Sequence, residues 1–317
     1  MELAFLHNTN INFTGKRYFF FGVSIALALA GAVSLILRGG PNYGIDFSGG
    51  ILIQMAFAKP VAMDEVRSAL STAGLADVEL QSTMMGTHSS IVIRAKKSAM
   101  NQDEFSAKVK GIISQKFAGN ELTIERKEYV GPAVGSHLFK QGMLALIFSF
   151  LGIIIYVAFR FNSGVWGTAG VMDIVHDVFV IFGIFSILNK EITLTVLAAL
   201  LTVAGYSIND TIVVFDRIRE NLRLLTKEPF GAIINKSVNQ TLSRTIITSL
   251  TVFIVALALF FLGGEVLHDF AFAMLIGVVV GTYSSIYVSS SLVYEYEEWK
   301  KRRTAAMFAG SKRPGQR

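Results

Sequence analysis

The sequence predicts a polytopic α-helical membrane protein: six transmembrane helices, with one extracytoplasmic α+β domain between the first and the second. Charge content, the lengths of the apolar runs and one long polar interruption predict it. The chain has 317 residues, of which 52% are hydrophobic and 16% charged. A soluble domain carries about 25% charged residues, so much of this chain belongs in lipid. Six stretches have the length to cross a bilayer, which takes about 20 residues. Only residues 38–138 have the mixed polarity of a soluble unit.

Residues 1–17 form a short N-terminal segment ending in Lys16-Arg17, and 18–37 are the first span. It resembles a signal peptide in position only. Its apolar run is long, and Leu37-Arg38-Gly39-Gly40 is not a small-x-small cleavage site, so it reads as a retained anchor. The other spans are 139–159, 165–188, 192–215, 241–262 and 270–293, with a loop at 216–240 and a tail at 294–317. The third and fourth carry acidic residues at membrane depth: Asp173 and Asp177 beside His176, and Asp210.

Lysine and arginine set orientation. Fifteen fall in the segments that would share a side with both termini, from Lys16 and Arg17 through Arg217 and Arg219 to Lys312, Arg313 and Arg317. The short loops of the other side hold Lys190 alone. The bias predicts a multi-pass membrane protein with both termini in the cytoplasm and 38–138 outside. It also accounts for the net charge of +6, which in a soluble chain would suggest nucleic acid. The outer segment is balanced, with 11 basic and 10 acidic residues, and is no nucleic-acid surface. With no cysteine, disulfides, cysteine nucleophiles, zinc-thiolate and iron–sulfur sites are excluded, and neither metal nor cofactor is expected.

Within 38–138, residues 51–57 read as a strand and 64–73 as an amphipathic helix stopped by Gly74. Residues 78–83 and 91–95 alternate like a strand pair. Asn101 and Glu104 make a capping box opening a helix that Gly119 stops, and 122–126 begin a last strand. The order βαββαβ is the ferredoxin-like split pattern. The preceding Gly44-Ile45-Asp46-Phe47-Ser48-Gly49-Gly50 reads as a turn whose glycines serve positive φ rather than a phosphate.

Asp210 is the first candidate for chemistry. A carboxylate at membrane depth is costly to insert and marks function by default, the bland alternative being an interfacial Asp that reaches water. Arg244 is its natural partner, because the fourth and fifth spans are antiparallel and place both at similar depth. At about 4 Å and an effective dielectric of 20 such a pair attracts by roughly 4 kcal/mol, which protonation would remove. The alternative is a static ion pair or a positive-inside anchor. Asp173, His176 and Asp177 share a helix face at i, i+3 and i+4 and could relay protons, or simply glue helices together. Gly277-x-x-x-Gly281 with its serines reads as a small-residue packing face.

Several blocks resemble the SecD/SecF family of bacterial protein-export subunits, in the RND superfamily, on its SecF side. They are Gly44 to Gly50, Val130-Gly131-Pro132, His176-Asp177, Gly205 to Asp210 running on through Asp216 to Asn221, Thr241 to Thr245, and Met274 to Tyr287. Asp173 lies outside the family pattern. The resemblance implies half of an RND-type twelve-helix unit that works with SecD beside the SecYEG channel. It extends the partners to YajC, YidC and the translocating preprotein. It implies a non-enzymatic role, using the proton motive force to promote preprotein export, with Asp210 and Arg244 in the proton path. Two alternatives stand beside it. An RND-type small-solute exporter usually carries two large external domains on twelve helices. An intramembrane aspartyl enzyme needs two carboxyls converging on one water, which Asp173 and Asp177 on one helix suit poorly.

Overall fold

A computed structural model describes residues 9–85, 88–96, 100–161 and 164–310. The basic residues Lys312, Arg313 and Arg317 lie outside them. In chain order the elements are α1 (Arg17–Leu37), α2 (Ile45–Ser48), β1 (Gly50–Phe57), α3 (Met63–Thr72), β2 (Val78–Met85), β3 (His88–Lys96), α4 (Gln102–Lys116) and β4 (Leu122–Val130). Then follow α5 (Pro132–Phe161), α6 (Gly164–Ile187), α7 (Leu194–Leu224), α8 (Phe230–Leu262), α9 (Gly264–Tyr283), a π-helical stretch Ser284–Ser289, and α10 (Ser290–Gly310).

Six helical segments among the described residues are long and apolar enough to span a membrane. Those over α6, α7 and α9 are more than half buried and form the interior, while α1, α5 and α8 are largely exposed around it. Small residues bring the helices together. Gly31 of α1 and Gly183 of α6 meet so closely that a Cβ on either would lie 2.7 Å from the other's Cα. Gly277 of α9 lies on Val203 of α7 in the same way.

The helices overrun the apolar runs. The soluble-side segment ends at Val130, because Pro132, suited to the first turn by its fixed φ and missing N–H, opens α5 within it. The expected loop 216–240 is mostly helix and shrinks to residues 225–229. Ion pairs such as Arg217–Glu220 and the Asn221–Ser237 hydrogen bond hold the polar turns helical. The sixth span continues unbroken into the expected tail, as α10.

The domain between α1 and α5 has the sheet order β2-β3-β1-β4, antiparallel throughout, which is the ferredoxin-like topology. Its core is built from alternate residues of the central strands, Ile51, Ile53, Met55, Ile91 and Ile93, packed on Val66, Leu70, Phe105 and Val109 of α3 and α4. Asn101 caps α4 by accepting from the Glu104 N–H at 2.8 Å. The segment read as a turn contains one helical turn, α2, before Gly49 and Gly50 at φ 69° and 144°.

Candidate transmembrane polar site

Asp173 and Asp177 are one helical turn apart on α6, and both are fully buried. A carboxylate removed from water needs donors, and the neighbouring helices supply hydroxyls. Thr211 of α7 donates to Asp173 Oδ2 at 2.7 Å. Ser207, one turn earlier on α7, donates to Asp177 Oδ2 at 2.5 Å, and Ser284 donates to the same oxygen at 2.9 Å. Asp177 Oδ1 meets His176 Nδ1 at 3.0 Å. One carboxylate therefore ties together α6, α7 and the start of the π-helical stretch. Such stretches recur at functional sites, because the extra residue in the turn re-aims side chains. Gly281 keeps the site open: a Cβ there would lie 3.2 Å from Ser207 Oγ and 3.5 Å from Asp177 Oδ2. The supposed packing face of glycines and serines is thus also the wall of a polar site.

The three polar residues of α6 are not equally buried. The two carboxylates face inward, whereas His176 lies towards the edge with its side chain 13% exposed. Asp173 Oδ1 and His176 Nε2 are buried without hydrogen-bond partners among the described residues.

Asp210 sits on the neighbouring face of α7, turned towards α8. It is 2% exposed, and its Oδ2 has no hydrogen-bond partner. Its polar surroundings on α8 are Arg244, Thr248 and Ser249. The expected Asp210–Arg244 ion pair is not closed: no guanidinium nitrogen lies within 4.0 Å of the carboxylate. Arg244 is exposed on the outer surface of α8, while Asp210 is buried between helices, so equal depth does not bring them into contact. Beside them, Tyr206 and Thr282 both donate to Ser249 Oγ, at 2.8 and 2.6 Å, which links α7 and α9 through α8. Among the described residues no group of three or more His, Asp or Glu is placed to hold a metal ion.

Sequence reasoning missed Ser207, Thr211 and Ser284 as carboxylate partners. Ser207 and Thr211 flank Asp210 and recur with helical period, a signal that was there. Ser284 lies 107 residues from Asp177 and could not be paired with it.

Residues 110–299 match the family described as protein export membrane protein SecD/SecF, C-terminal, and residues 34–61 match the SecD/SecF GG motif. The chain is 50% identical over 294 residues to the protein translocase subunit SecF of Endomicrobium trichonymphae, covering 93% of this chain and 94% of that one. It is 42% identical to the SecF of Calditerrivibrio nitroreducens, covering 93% and 97%. The crystal structure of SecDF from Thermus thermophilus, a translocon-associated membrane protein, superposes with a TM-score of 0.83 at 37% identity. It covers 92% of this chain, which spans only 39% of that longer polypeptide. SecDF in a super-membrane-facing form gives a TM-score of 0.69 at 36% identity, covering 95% and 40%. The GG-motif match runs from the end of α1 through α2 and β1, and the larger match runs from α4 through the whole polar site into α10. The chain belongs to the SecF branch of the SecD/SecF family of protein-export membrane proteins.

Proposed function

We propose that the chain is an accessory subunit of the Sec translocase that pairs with SecD beside the SecYEG channel. It would use the proton motive force to promote preprotein export, with YajC and YidC as further neighbours. Names of relatives support the translocase role, and the likeness to the SecDF structures, whose polypeptides are more than twice as long as the part this chain matches, supports the pairing. Both termini lie in the cytoplasm on this reading, supported by the fifteen-to-one bias of basic residues.

The observation that carries the proton reading is Asp210: a buried carboxylate with an unpartnered oxygen, beside an arginine it does not touch. Such a pair has two states. Ionised, Asp210 attracts Arg244, and the helices carrying them are drawn together. Protonated, it is a neutral group that α7 can bury without a counter-charge. The exposed position of Arg244 leaves its guanidinium available to the partner subunit. Asp177, His176 and Asp173 would form a second station, where a proton can be held between α6, α7 and the π-helical stretch. No step requires bond-breaking in the substrate, so the role is mechanical rather than enzymatic.

Asp210→Asn keeps size and hydrogen bonding and cannot ionise. Export should be compared in membranes carrying wild type or this variant, with and without a protonophore. The variant should assemble and lose the protonophore-sensitive part, while ATP-driven translocation stays nearly intact. Arg244→Lys should be intermediate or worse, because a point charge replaces a planar fork. Full protonophore-sensitive export in Asp210→Asn would remove Asp210 from the path and shift the weight to His176 and Asp177.

A further inference from the structure

In the six-residue connection between α6 and α7, 188–193, four consecutive residues, 189–192, are each fastened to something outside the hairpin. Asn189, held at φ 54°, accepts from Arg38 at the end of α1 at 3.0 Å. Lys190 pairs with Asp269 of α9 at 2.6 Å. Glu191, 8% exposed, lies 3.2 Å from Arg94 Nε and 3.8 Å from Lys96 Nζ, both on β3. Ile192 is bridged to Tyr43, its N–H donating to Asn42 O at 2.7 Å and its carbonyl accepting from Gly44 N–H at 3.0 Å. Asp46 Oδ2 accepts the Leu194 N–H, the first of α7, at 2.9 Å.

These contacts also explain part of the family's glycine motif. A side chain at Gly44 would meet Thr193 Cγ2 at 2.9 Å and Glu191 Oε2 at 3.2 Å, so anything larger than glycine there would push these two side chains of the turn aside. Gly49 lies against Pro132 of α5, and Gly135 against Gly49. The segment 42–50 is therefore clamped between the hairpin turn on one side and the start of α5 on the other. It leads straight into β1, one of the two central strands of the sheet. Lys96 extends the clamp, donating to Asn42 at 2.7 Å and to Glu79 of β2 at 2.9 Å.

Every acidic group in the membrane interior named above is on α6 or α7, the two helices this turn joins. A shift of the hairpin cannot leave the sheet behind unless these contacts break. We propose that the 188–193 turn is the joint that passes movement of the α6–α7 hairpin to the extracytoplasmic domain, with Glu191 and Asp46 as its positioning residues. This rests on the reading of α6 and α7 as the proton-responsive elements.

The test uses the full chain, purified with its SecD partner and reconstituted in nanodiscs. Because the chain has no cysteine, spin labels can be placed on Lys108→Cys in α4 and Leu262→Cys at the end of α8 and, with a cysteine-free SecD partner, nowhere else. Both sites are exposed. With the joint intact the distance distribution should be narrow, and Asp210→Asn should shift its centre. In the chain carrying Glu191→Ala and Asp46→Ala it should broaden and stop responding to Asp210→Asn, and gradient-driven export should be lost. A double-alanine chain that keeps a narrow distribution, or that broadens while gradient-driven export persists, overturns the proposal. If that chain does not assemble, Asp46→Ala alone, which removes only the bond to Leu194, decides the point: assembled and fully active in gradient-driven export, it overturns the proposal. Failure of the proton reading is seen separately, in the export assay of Asp210→Asn with the joint intact.

Discussion

The Ser284 hydroxyl and the Asp177 carboxylate meet at 2.9 Å, joining the π-helical stretch to α6 across the centre of the bundle. Ser284 is one of three donors on Asp177, so its loss should be mild. Ser284→Ala should destabilise the chain by about 0.6 kcal/mol, typical of one interhelical hydrogen bond in a membrane protein. Asp177→Ala strands Ser207, Ser284 and His176 together, and should be several times worse, about 2–3 kcal/mol. Unfolding by dodecyl sulfate in mixed micelles measures both. Equal losses would mean that Asp177 is not the shared acceptor.

The crossing of α1 and α6 is set by Gly31 and Gly183, and one turn further along Ser34 Oγ and Ser186 Oγ lie 2.8 Å apart. Ser34→Cys with Ser186→Cys should therefore form a disulfide on mild oxidation, in a chain that has no other thiol. Adding Gly183→Val, whose side chain would occupy the Gly31 backbone, should bring the yield down to background. Undiminished cross-linking would mean that α1 is held elsewhere.

Glu191 makes docking of the outer domain depend on pH. Burial pushes its carboxyl from 4.5 up to about 7, with Arg94 and Lys96 pulling the other way and Glu79 adding to the rise. Asp46, Arg126, Glu128, His268 and Asp269 line the same cleft of about 830 Å³ beneath the sheet. The docked state binds the proton more tightly than an undocked, solvated glutamate would. Docking is thus strongest below about 4.5 and weakens as pH rises through 7, by at most about 3 kcal/mol. The Lys108–Leu262 distance distribution should broaden from pH 5.5 to 8.5, and Glu191→Gln should hold it narrow throughout. A wild-type distribution that does not change over this range would show that Glu191 keeps one protonation state in the joint.

The outer domain carries its own core. Residues 42–130 should express as a soluble fragment that unfolds cooperatively, with a stability of about 5 kcal/mol, and should need neither metal nor oxidant. Urea titration followed by circular dichroism tests this. A non-cooperative transition would mean that the small cluster of Ile45, Leu52 and Val92, which faces away from α3 and α4, needs the membrane part to complete the core.

Local pattern alone determined the architecture. Long apolar runs, two of them carrying acidic residues, gave the six helices, since a backbone in lipid must satisfy its own hydrogen bonds. Two-residue alternation between glycine stops gave the sheet and its helices. Asp173, Asp177 and Asp210 stood out because a carboxylate in an apolar run needs a reason. Their partners were decided only in three dimensions. Thr211 and Ser207 lie 38 and 30 residues from the carboxylates they serve, and Ser284 lies 107 away, joined only by helix packing. The same packing buries Asp210 between helices and leaves Arg244 on the outer face, so a pair that seemed natural by depth is not in contact. Glu191 stands in a short connection where nothing in the adjoining sequence marks it. It becomes a buried group of the joint because the folded domain brings Arg94 and Lys96 of β3 down onto a turn nearly a hundred residues further along the chain, and no property of the local sequence encodes that meeting.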